Sequence, residues 1–312
     1  MKSLAEFNLR KEALTILHRQ GIDTATPVQE EAIPAVRSGR DAIVQAPTGT
    51  GKPLGFLLPI LEKLKPGAAV AQALIITPTR ELTQQIARVA QSLATVYGVR
   101  ALAVYGGQDI ERQKEKIGRH PQLIIGTPGR LLDHLRHHTL HLETVNRIVL
   151  DEADEMLNMG FSDSINAIFE QLPDDRNTLL FSATMSREVE KVAKSYLHDY
   201  KEIVVGSRNE GAEHVNHIYY LVHSKDKYLA LKRIVDFHPR IFAIIFCRTK
   251  IETQEIADKL IKDGYNAEAL HGDLSQQQRD LTMQKFRQHT VQLLVATDVA
   301  ARGLDVNDLT HV

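Results

Sequence analysis

Short apolar runs alternate with longer amphipathic segments along most of this chain, and this alternation restricts the possible folds more than any single residue does. Within one longer segment, residues 80–96, Leu82, Ile86 and Leu93 recur at helical spacing. Strand-length runs separated by such segments predict βαβ units and a parallel sheet with helices on both faces. The predicted fold class is therefore α/β. The first expected strands are 41–46, 73–78, 101–106, 122–127, 147–151, 178–183 and 202–205.

A polar stretch after Gly206 divides this pattern into two parts. It begins with Ser207-Arg208-Asn209-Glu210-Gly211 and predicts a linker at 207–214. The flanking segments, 1–206 and 215–312, are expected to form separate domains, since 312 residues suffice for two cores. In the second segment the last strand-like run lies close to Val312, so an incomplete second domain is expected. Its predicted strands are 217–222, 242–247, 267–271 and 292–297.

Overall charge and composition exclude several classes of protein. The formal net charge is −1, so any contact with nucleic acid must be local rather than driven by a global basic field. A single cysteine, Cys247, excludes an internal disulfide and fits a reducing compartment. The N-terminal residues lack the apolar core of a signal peptide, and runs such as 241–247 are too short to span a bilayer. These features predict a soluble cytoplasmic protein with no membrane contact.

A glycine-rich turn follows the first expected strand. Backbone N–H groups in such a turn can surround phosphate oxygens, and Lys52 can reach the β- and γ-phosphates of a nucleotide. The usual pattern continues with Ser or Thr, whose hydroxyl binds Mg²⁺, whereas this chain has Pro53. Proline supplies neither a hydroxyl nor an N–H, and the expected cost is about 3 kcal/mol of transition-state stabilisation. The predicted ATP-binding residues here are Ala46, Pro47, Thr48, Gly49, Thr50, Gly51, Lys52 and Pro53.

An acidic quartet, Asp151-Glu152-Ala153-Asp154, follows the apolar run at 147–150. In open α/β sheets, ligands bind at the carboxyl ends of the strands. Asp151 is predicted to hold Mg²⁺, and Glu152 to take the proton of an attacking water. By itself a short acidic cluster is typical of a solvated loop. The phosphate loop upstream makes a nucleotide triphosphatase the favoured interpretation.

Further motifs occur in a characteristic order, and with them the whole chain resembles the DEAD-box ATP-dependent RNA helicases, as a bacterial member. The resemblance implies two RecA-like parallel-sheet domains in tandem, with ATP and Mg²⁺ as cofactors. It assigns adenine recognition to Phe7 and Gln29, and ribose binding to Asp305. Ser182 and Thr184 are expected to couple hydrolysis to strand separation through Asp154, although capping of the helix near Arg187 is an alternative. The implied catalytic residues are Lys52, Asp151, Glu152, Ser182 and Thr184.

The resemblance also implies a partner, namely single-stranded RNA and short RNA duplexes. Its motifs place hydroxyls, helix N-termini or arginines directly after strands, where they can bind phosphates without reading bases. Contact of this kind is largely independent of sequence and depends strongly on salt. The implied RNA-binding residues are Pro78, Thr79, Arg80, Gly106, Gly107, Thr127, Pro128, Gly129, Arg130, Arg248, Gln276, Arg279 and Thr297.

Two residues depart from the family pattern: Pro53 replaces Thr, and Gly55 stands where Ala is common. The chain is also expected to end before the arginine-rich motif that acts on the γ-phosphate. Three functions therefore stay open. The first is an ATP-dependent RNA helicase, and the second is a catalytically impaired RNA- and nucleotide-binding module. The third, a DNA translocase, is disfavoured because Gln29, the acidic quartet and Ser182-Ala183-Thr184 occur together.

Overall fold

The computed structural model describes residues 1–206, 215–301, 306 and 308–312. The chain divides into two compact units, Met1–Glu213 and His214–Val312. The predicted linker, 207–214, lies outside the described residues. Both described sheets are parallel, so the α/β class expected from the sequence is confirmed.

In the first unit a seven-stranded sheet has the order β3-β4-β2-β5-β6-β1-β7, with every described pairing parallel. The observed strands match the predicted ones closely. Alternate residues of a strand face opposite layers of core; Ile75 of β2 joins one buried cluster, and Ile76 joins the other. The strands are β1 (Ala42–Gln45), β2 (Ala73–Ile76), β3 (Ala101–Val104), β4 (Leu123–Gly126), β5 (Arg147–Leu150), β6 (Asn177–Ser182) and β7 (Lys201–Val204).

Helices cover both faces of this sheet. The predicted helix at 80–96 is confirmed as an α-helix that continues into a short 3-10 turn. Among the described residues, no helix is long and apolar enough to cross a membrane. The helices of this unit are α1 (Lys11–Arg19), α2 (Pro27–Ser38), α3 (Lys52–Lys63), α4 (Arg80–Ala94), α5 (Ile110–Ile117), α6 (Pro128–Arg136), α7 (Ala153–Asn158), α8 (Ser162–Phe169) and α9 (Arg187–Tyr196).

Gly55 lies where α3 packs most closely on α2. A Cβ atom at this position would be 3.2 Å from the Cβ of Ala32, closer than most real Cβ contacts. The glycine therefore permits a close approach of the two helices.

The second unit contains a three-stranded parallel sheet with the order β8-β10-β9. Near the end of the chain, His311 forms an isolated parallel bridge with Ala243 of β8. Its strands are β8 (Ala243–Cys247), β9 (Ala267–Leu270) and β10 (Leu293–Thr297), and its helices are α10 (Lys227–Phe237), α11 (Lys250–Lys262), α12 (Gln276–Arg287) and α13 (Asp298–Ala301).

The strand predicted at 217–222 is wrong. This segment is irregular, and its apolar side chains are exposed, with Ile218 at 67% and Leu221 at 93% exposure. A strand is stable only when a neighbour satisfies its backbone groups, and no described strand pairs with this segment. Its β-rich composition was therefore insufficient to predict a strand.

Candidate functional site

Because the strands of the first unit are parallel, their carboxyl ends meet along one edge, where the predicted motifs converge. The sheet order divides this edge into two halves. Neighbouring strands β5, β6 and β1 lead into the acidic quartet, Ser182-Ala183-Thr184 and the phosphate loop. On the other side, β3, β4 and β2 lead into the motifs implied to bind RNA. Residues far apart in the sequence are thereby brought onto one edge.

The phosphate loop has the backbone geometry that its glycines allow. Gly49 and Gly51 have φ values of 81° and 83°, in the left-handed region that glycine adopts without strain. Lys52 begins α3 and is only 4% exposed. Its ammonium group donates a hydrogen bond of 2.9 Å to the carbonyl oxygen of Ala46, so the side chain folds back against the loop. A bound phosphate would compete with the carbonyl oxygen of Ala46 for the ammonium group of Lys52.

Pro53 is the second residue of α3 and is half-buried. Proline is tolerated in a first helical turn because N–H groups there have no partner within the helix. The helix forms as predicted, without a hydroxyl at this position. The hydroxyl of neighbouring Thr50 donates to the carbonyl oxygen of Pro47 at 2.7 Å, which closes the loop on itself.

Gln29 connects α2 to the phosphate loop. Its side-chain oxygen accepts the N–H of Thr26 at 3.1 Å, and its amide nitrogen donates to the carbonyl oxygen of Gly51 at 3.0 Å. Phe7 is 7% exposed and belongs to the same hydrophobic cluster as α2 and α3. Adenine recognition by these two residues stays a prediction. The observed hydrogen bonds show that Gln29 contacts the phosphate loop directly.

Two buried carboxyl groups lie at the end of β5. Asp151 is 1% exposed and Glu152 is 7% exposed, and Glu152 has a left-handed φ of 53°. The N–H of Glu152 donates to Asp151 Oδ1 at 3.1 Å. Burial raises the pKa of Asp151 to about 6, opposed by the charge of Lys52. Burial, and then the charge of Asp151, raise the pKa of Glu152 to about 7, a value suited to accepting a proton near neutral pH.

Asp154 connects the acidic quartet to the end of β6. Its Oδ2 atom accepts hydrogen bonds from the backbone N–H and the hydroxyl of Thr184, at 2.9 and 2.8 Å. The backbone N–H of Asp154 donates to the hydroxyl oxygen of Ser182 at 3.4 Å. The predicted contact of both hydroxyl residues with Asp154 is therefore confirmed. The capping alternative is wrong for these residues, because Ser186 caps α9 by accepting the N–H of Val189.

Gln45 is a site residue that the sequence patterns did not identify. It ends β1 immediately before the phosphate loop, and its amide donates to the carbonyl oxygen of Ala183 at 3.4 Å. The side chain is 4% exposed. A polar residue at the end of an otherwise apolar strand was the available signal. Its contact ties the phosphate-loop strand to Ser182-Ala183-Thr184.

The loops after β2, β3 and β4 also contact one another. Thr79 caps α4 by accepting the N–H of Leu82 at 3.2 Å, whereas Thr127 stands at the N-cap position of α6 without a side-chain capping hydrogen bond. A Cβ atom at Gly106 would be 3.3 Å from a guanidinium nitrogen of Arg80, so this arginine packs against the glycine. The three predicted RNA motifs of the first unit are therefore adjacent. Their members are Pro78, Thr79, Arg80, Gly106, Gly107, Thr127, Pro128, Gly129 and Arg130.

In the second unit, two of the implied RNA-binding residues meet at the start of α13. Arg279 donates to the carbonyl oxygen of Ala300 at 3.2 Å, and Thr297 accepts the N–H of the same residue at 3.3 Å. Arg248 follows β8, and Gln276 begins α12. Asp305, predicted to bind the ribose of ATP, lies outside the described residues.

Comparison with known proteins agrees with this geometry. A family model described as DEAD/DEAH box helicase matches residues 26–192, more than half of the chain. The chain belongs to the DEAD/DEAH box helicase family. A second family model, described as helicase conserved C-terminal domain, matches residues 226–312 of the chain.

Curated relatives and solved structures extend the likeness over the whole chain. The chain is 43% identical over 312 residues to the DEAD-box ATP-dependent RNA helicase CshA of Geobacillus kaustophilus, covering 100% of this chain and 67% of the relative. It is 44% identical to the ATP-dependent RNA helicase CshA of Listeria monocytogenes, covering 100% of this chain and 60% of the relative. The chain thus spans 60% to 67% of the length of these relatives.

The solved structures that resemble the chain include a complex with RNA and a second DEAD box protein. S. cerevisiae Dbp5 bound to RNA and ADP BeF3 matches with a TM-score of 0.90 at 29% identity, covering 99% of this chain and 79% of that chain. A DEAD box protein from Methanococcus jannaschii matches with a TM-score of 0.63 at 38% identity, covering 99% and 84%. These matches support the RecA-like fold.

Proposed function

We propose that this protein is an ATP-dependent RNA helicase that acts in the cytoplasm on single-stranded RNA and short duplexes. The observation that carries the proposal is the Asp154–Thr184 contact, which joins the acidic quartet after β5 to the segment after β6 within the nucleotide half of the sheet edge. The names of the relatives support RNA as the nucleic acid. Hydrolysis in the β5–β6–β1 half would alter the RNA affinity of the β3–β4–β2 half.

The proposed chemistry uses three buried side chains. Lys52 would exchange its hydrogen bond with Ala46 for oxygens of the β- and γ-phosphates. Glu152, with its raised pKa, would orient the attacking water and accept its proton. Asp151 would stabilise the phosphate site through ordered water, and Asp305 would hold the ribose.

Asp151 offers carboxylate oxygens that suit Mg²⁺, whereas Pro53 offers no oxygen ligand. A buried carboxylate with one oxygen engaged by an N–H can still accept hydrogen bonds from water around a cation. Pro53 offers no oxygen in its side chain, so the cation would have one protein partner fewer than the usual loop supplies. When bound, Mg²⁺ would neutralise charge on the transferred phosphoryl group.

Binding to matched oligonucleotides tests the proposal. A labelled ten-nucleotide RNA and a DNA of the same sequence are titrated with the 312-residue chain, with and without ADP and beryllium fluoride. We expect tighter binding to RNA, because the 2′-hydroxyl supplies contacts that DNA lacks, and a gain in RNA affinity with the nucleotide. Equal affinity for both strands under both conditions would contradict the RNA assignment and favour the DNA translocase.

One observation favours a second function, a catalytically impaired RNA- and nucleotide-binding module. Pro53 removes a hydroxyl that phosphate loops of this type use for Mg²⁺. Such a module would bind ATP and RNA with little turnover. Brisk RNA-stimulated phosphate release by the wild-type chain would refute it.

A further inference from the structure

A buried polar network lies directly behind the RNA half of the sheet edge. Its centre is Gln113 on α5, which is 1% exposed, and its second member is His134 on α6, which is 0% exposed. Neither residue belongs to a motif identified in the sequence. Fully buried polar side chains are costly unless all of their hydrogen-bonding groups are satisfied.

Gln113 connects four groups through its side-chain amide. Its nitrogen donates to the carbonyl oxygen of Tyr105 at 2.8 Å and to the side-chain oxygen of Gln108 at 3.3 Å. Its oxygen accepts from the guanidinium of Arg130 at 3.3 Å and from Nε2 of His134 at 3.1 Å. Both donors and both lone pairs of the amide are therefore used.

His134 holds the other end of this amide in place. Because an amide oxygen can only accept, the ring must donate through Nε2 to Gln113. At the opposite end, Nδ1 lies 2.8 Å from the hydroxyl of Thr139. Burial, and next the charge of Arg130, lower the pKa of His134, which favours the neutral ring. A neutral ring with both nitrogens engaged cannot rotate without breaking a bond.

The network determines where Arg130 lies. Its side chain is 13% exposed, and Nη1 donates to the carbonyl oxygen of Gln108 at 3.1 Å as well as to Gln113. The guanidinium is thus held against the loop that contains Gly106 and Gly107. Among the described residues, the other contacts that restrain it are the bond to the carbonyl oxygen of Gln108 and an ion pair with Asp133 at 3.7 Å.

We propose that Gln113 is a positioning residue for RNA binding, which presets Arg130 and the loop of Gly106 and Gly107 as one phosphate-binding surface. This inference rests on the proposed function, because it assumes that these two motifs contact RNA. An arginine held in its binding geometry loses little rotational freedom when a phosphate arrives. Gln113 itself need not touch the nucleic acid.

The test replaces Gln113 with methionine, which retains the volume of the side chain but removes its hydrogen bonds. Binding of a labelled ten-nucleotide RNA is measured by anisotropy over a range of salt concentrations. We expect the dissociation constant to rise roughly fivefold to tenfold, and the salt slope to fall by about 0.7, the value for one lost contact to a single strand. Affinity for ATP should be unchanged, because its predicted residues follow β1, β5 and β6.

A matched control is Gln122→Met. Gln122 is likewise 1% exposed and also connects loops, since its side chain accepts the N–H of Arg100 at 2.9 Å and donates to the carbonyl oxygen of His120 at 2.9 Å. Gln122 precedes β4 and so lies at the amino end of this strand, whereas the implied RNA-binding motifs follow the carboxyl ends. We expect this variant to lose thermal stability while keeping the RNA affinity and the salt slope of the wild type.

Two further variants separate positioning from folding. On an Arg130→Met background, Gln113→Met should weaken RNA binding less than it does in the wild type, because one of the two groups that Gln113 positions is absent. If Gln113→Met does not fold, Gln113→Asn, shorter by one methylene, is measured in its place with the same expectation.

The outcomes distinguish this inference from the proposed function. A wild-type chain that binds no RNA would overturn both. If the wild type binds RNA and the Gln113 variant keeps its affinity and salt slope, the inference alone fails. It also fails if Gln122→Met weakens RNA binding equally, since the effect would then reflect general stability.

Discussion

At the scale of single residues, Pro53 is the departure from the usual phosphate-loop pattern that bears on the proposed ATP hydrolysis. The structure accommodates it in the first turn of α3, so its effect concerns chemistry rather than folding. Its neighbour Lys52 retains a buried position beside the loop. Compared with the usual loop pattern, the proposed phosphate site lacks the hydroxyl that follows the lysine.

We predict that Pro53→Thr raises RNA-stimulated ATP hydrolysis about 100-fold, which corresponds to about 3 kcal/mol of transition-state stabilisation. Phosphate release at saturating RNA and Mg²⁺ measures this change. The matched control is Pro53→Val, since valine has the shape of threonine without its hydroxyl. Equal gains in both variants would show that removal of the proline ring, rather than the hydroxyl, is responsible.

At the scale of secondary-structure elements, α7 and β6 are joined through one carboxylate. The oxygen Asp154 Oδ2 accepts two hydrogen bonds from Thr184, which follows β6. Asp154 Oδ1 is buried and has no hydrogen-bond partner among the residues that the structure describes. A movement of either element must therefore break or replace a charge-assisted contact.

We predict that Thr184→Val weakens the coupling between nucleotide and RNA. The loss of one hydrogen bond to a charged group should lower the free energy of unfolding by about 2 kcal/mol. The gain in RNA affinity on adding ADP and beryllium fluoride should fall at least fivefold, because the lost bond joins the acidic quartet to the segment that is implied to couple hydrolysis to strand separation. Anisotropy titrations with and without nucleotide measure this gain.

Ser186→Ala provides the control for that prediction. It removes the cap of α9, two residues further along the chain, and costs about 1 kcal/mol. Its nucleotide-dependent gain in RNA affinity should match that of the wild type. A similar loss in both variants would indicate that general destabilisation reduces the coupling.

At the scale of the whole molecule, the two units differ in how much apolar surface they bury. The sheet of the first unit lies between two large hydrophobic clusters. The second unit has a three-stranded sheet with smaller clusters, and it leaves Ile218 and Leu221 exposed. Units with separate cores need not unfold together.

We predict two unfolding transitions in urea, with the second unit unfolding at the lower concentration. Pulsed hydrogen exchange read by mass spectrometry should show deuterium uptake in peptides from residues 227–301 before peptides from residues 73–182. Val295→Ala in β10 should move only the first transition, by about 2 kcal/mol, and Val44→Ala in β1 only the second. Simultaneous uptake in both sets of peptides would contradict independent cores.

Much of the fold was predictable because its signals are local. Apolar runs bounded by turn residues predicted β1 to β7, and the glycines of the phosphate loop predicted the turn before α3. The segment 217–222 shows the limit of such signals, since its composition favours a strand but pairing requires a neighbour. The patterns alone also did not separate the two roles weighed for Thr184, coupling and capping.

The sequence by itself determined the α/β class, the motifs of the family and the loss of the hydroxyl at position 53. Only the tertiary structure decided that Gln45 reaches Ala183, that Ser186 rather than Thr184 caps α9, and that Gln113 holds Arg130. These contacts depend on the order of strands in the sheet and on side chains meeting across it. A local pattern encodes the period of one element, whereas hydrogen bonds between elements depend on how the elements pack.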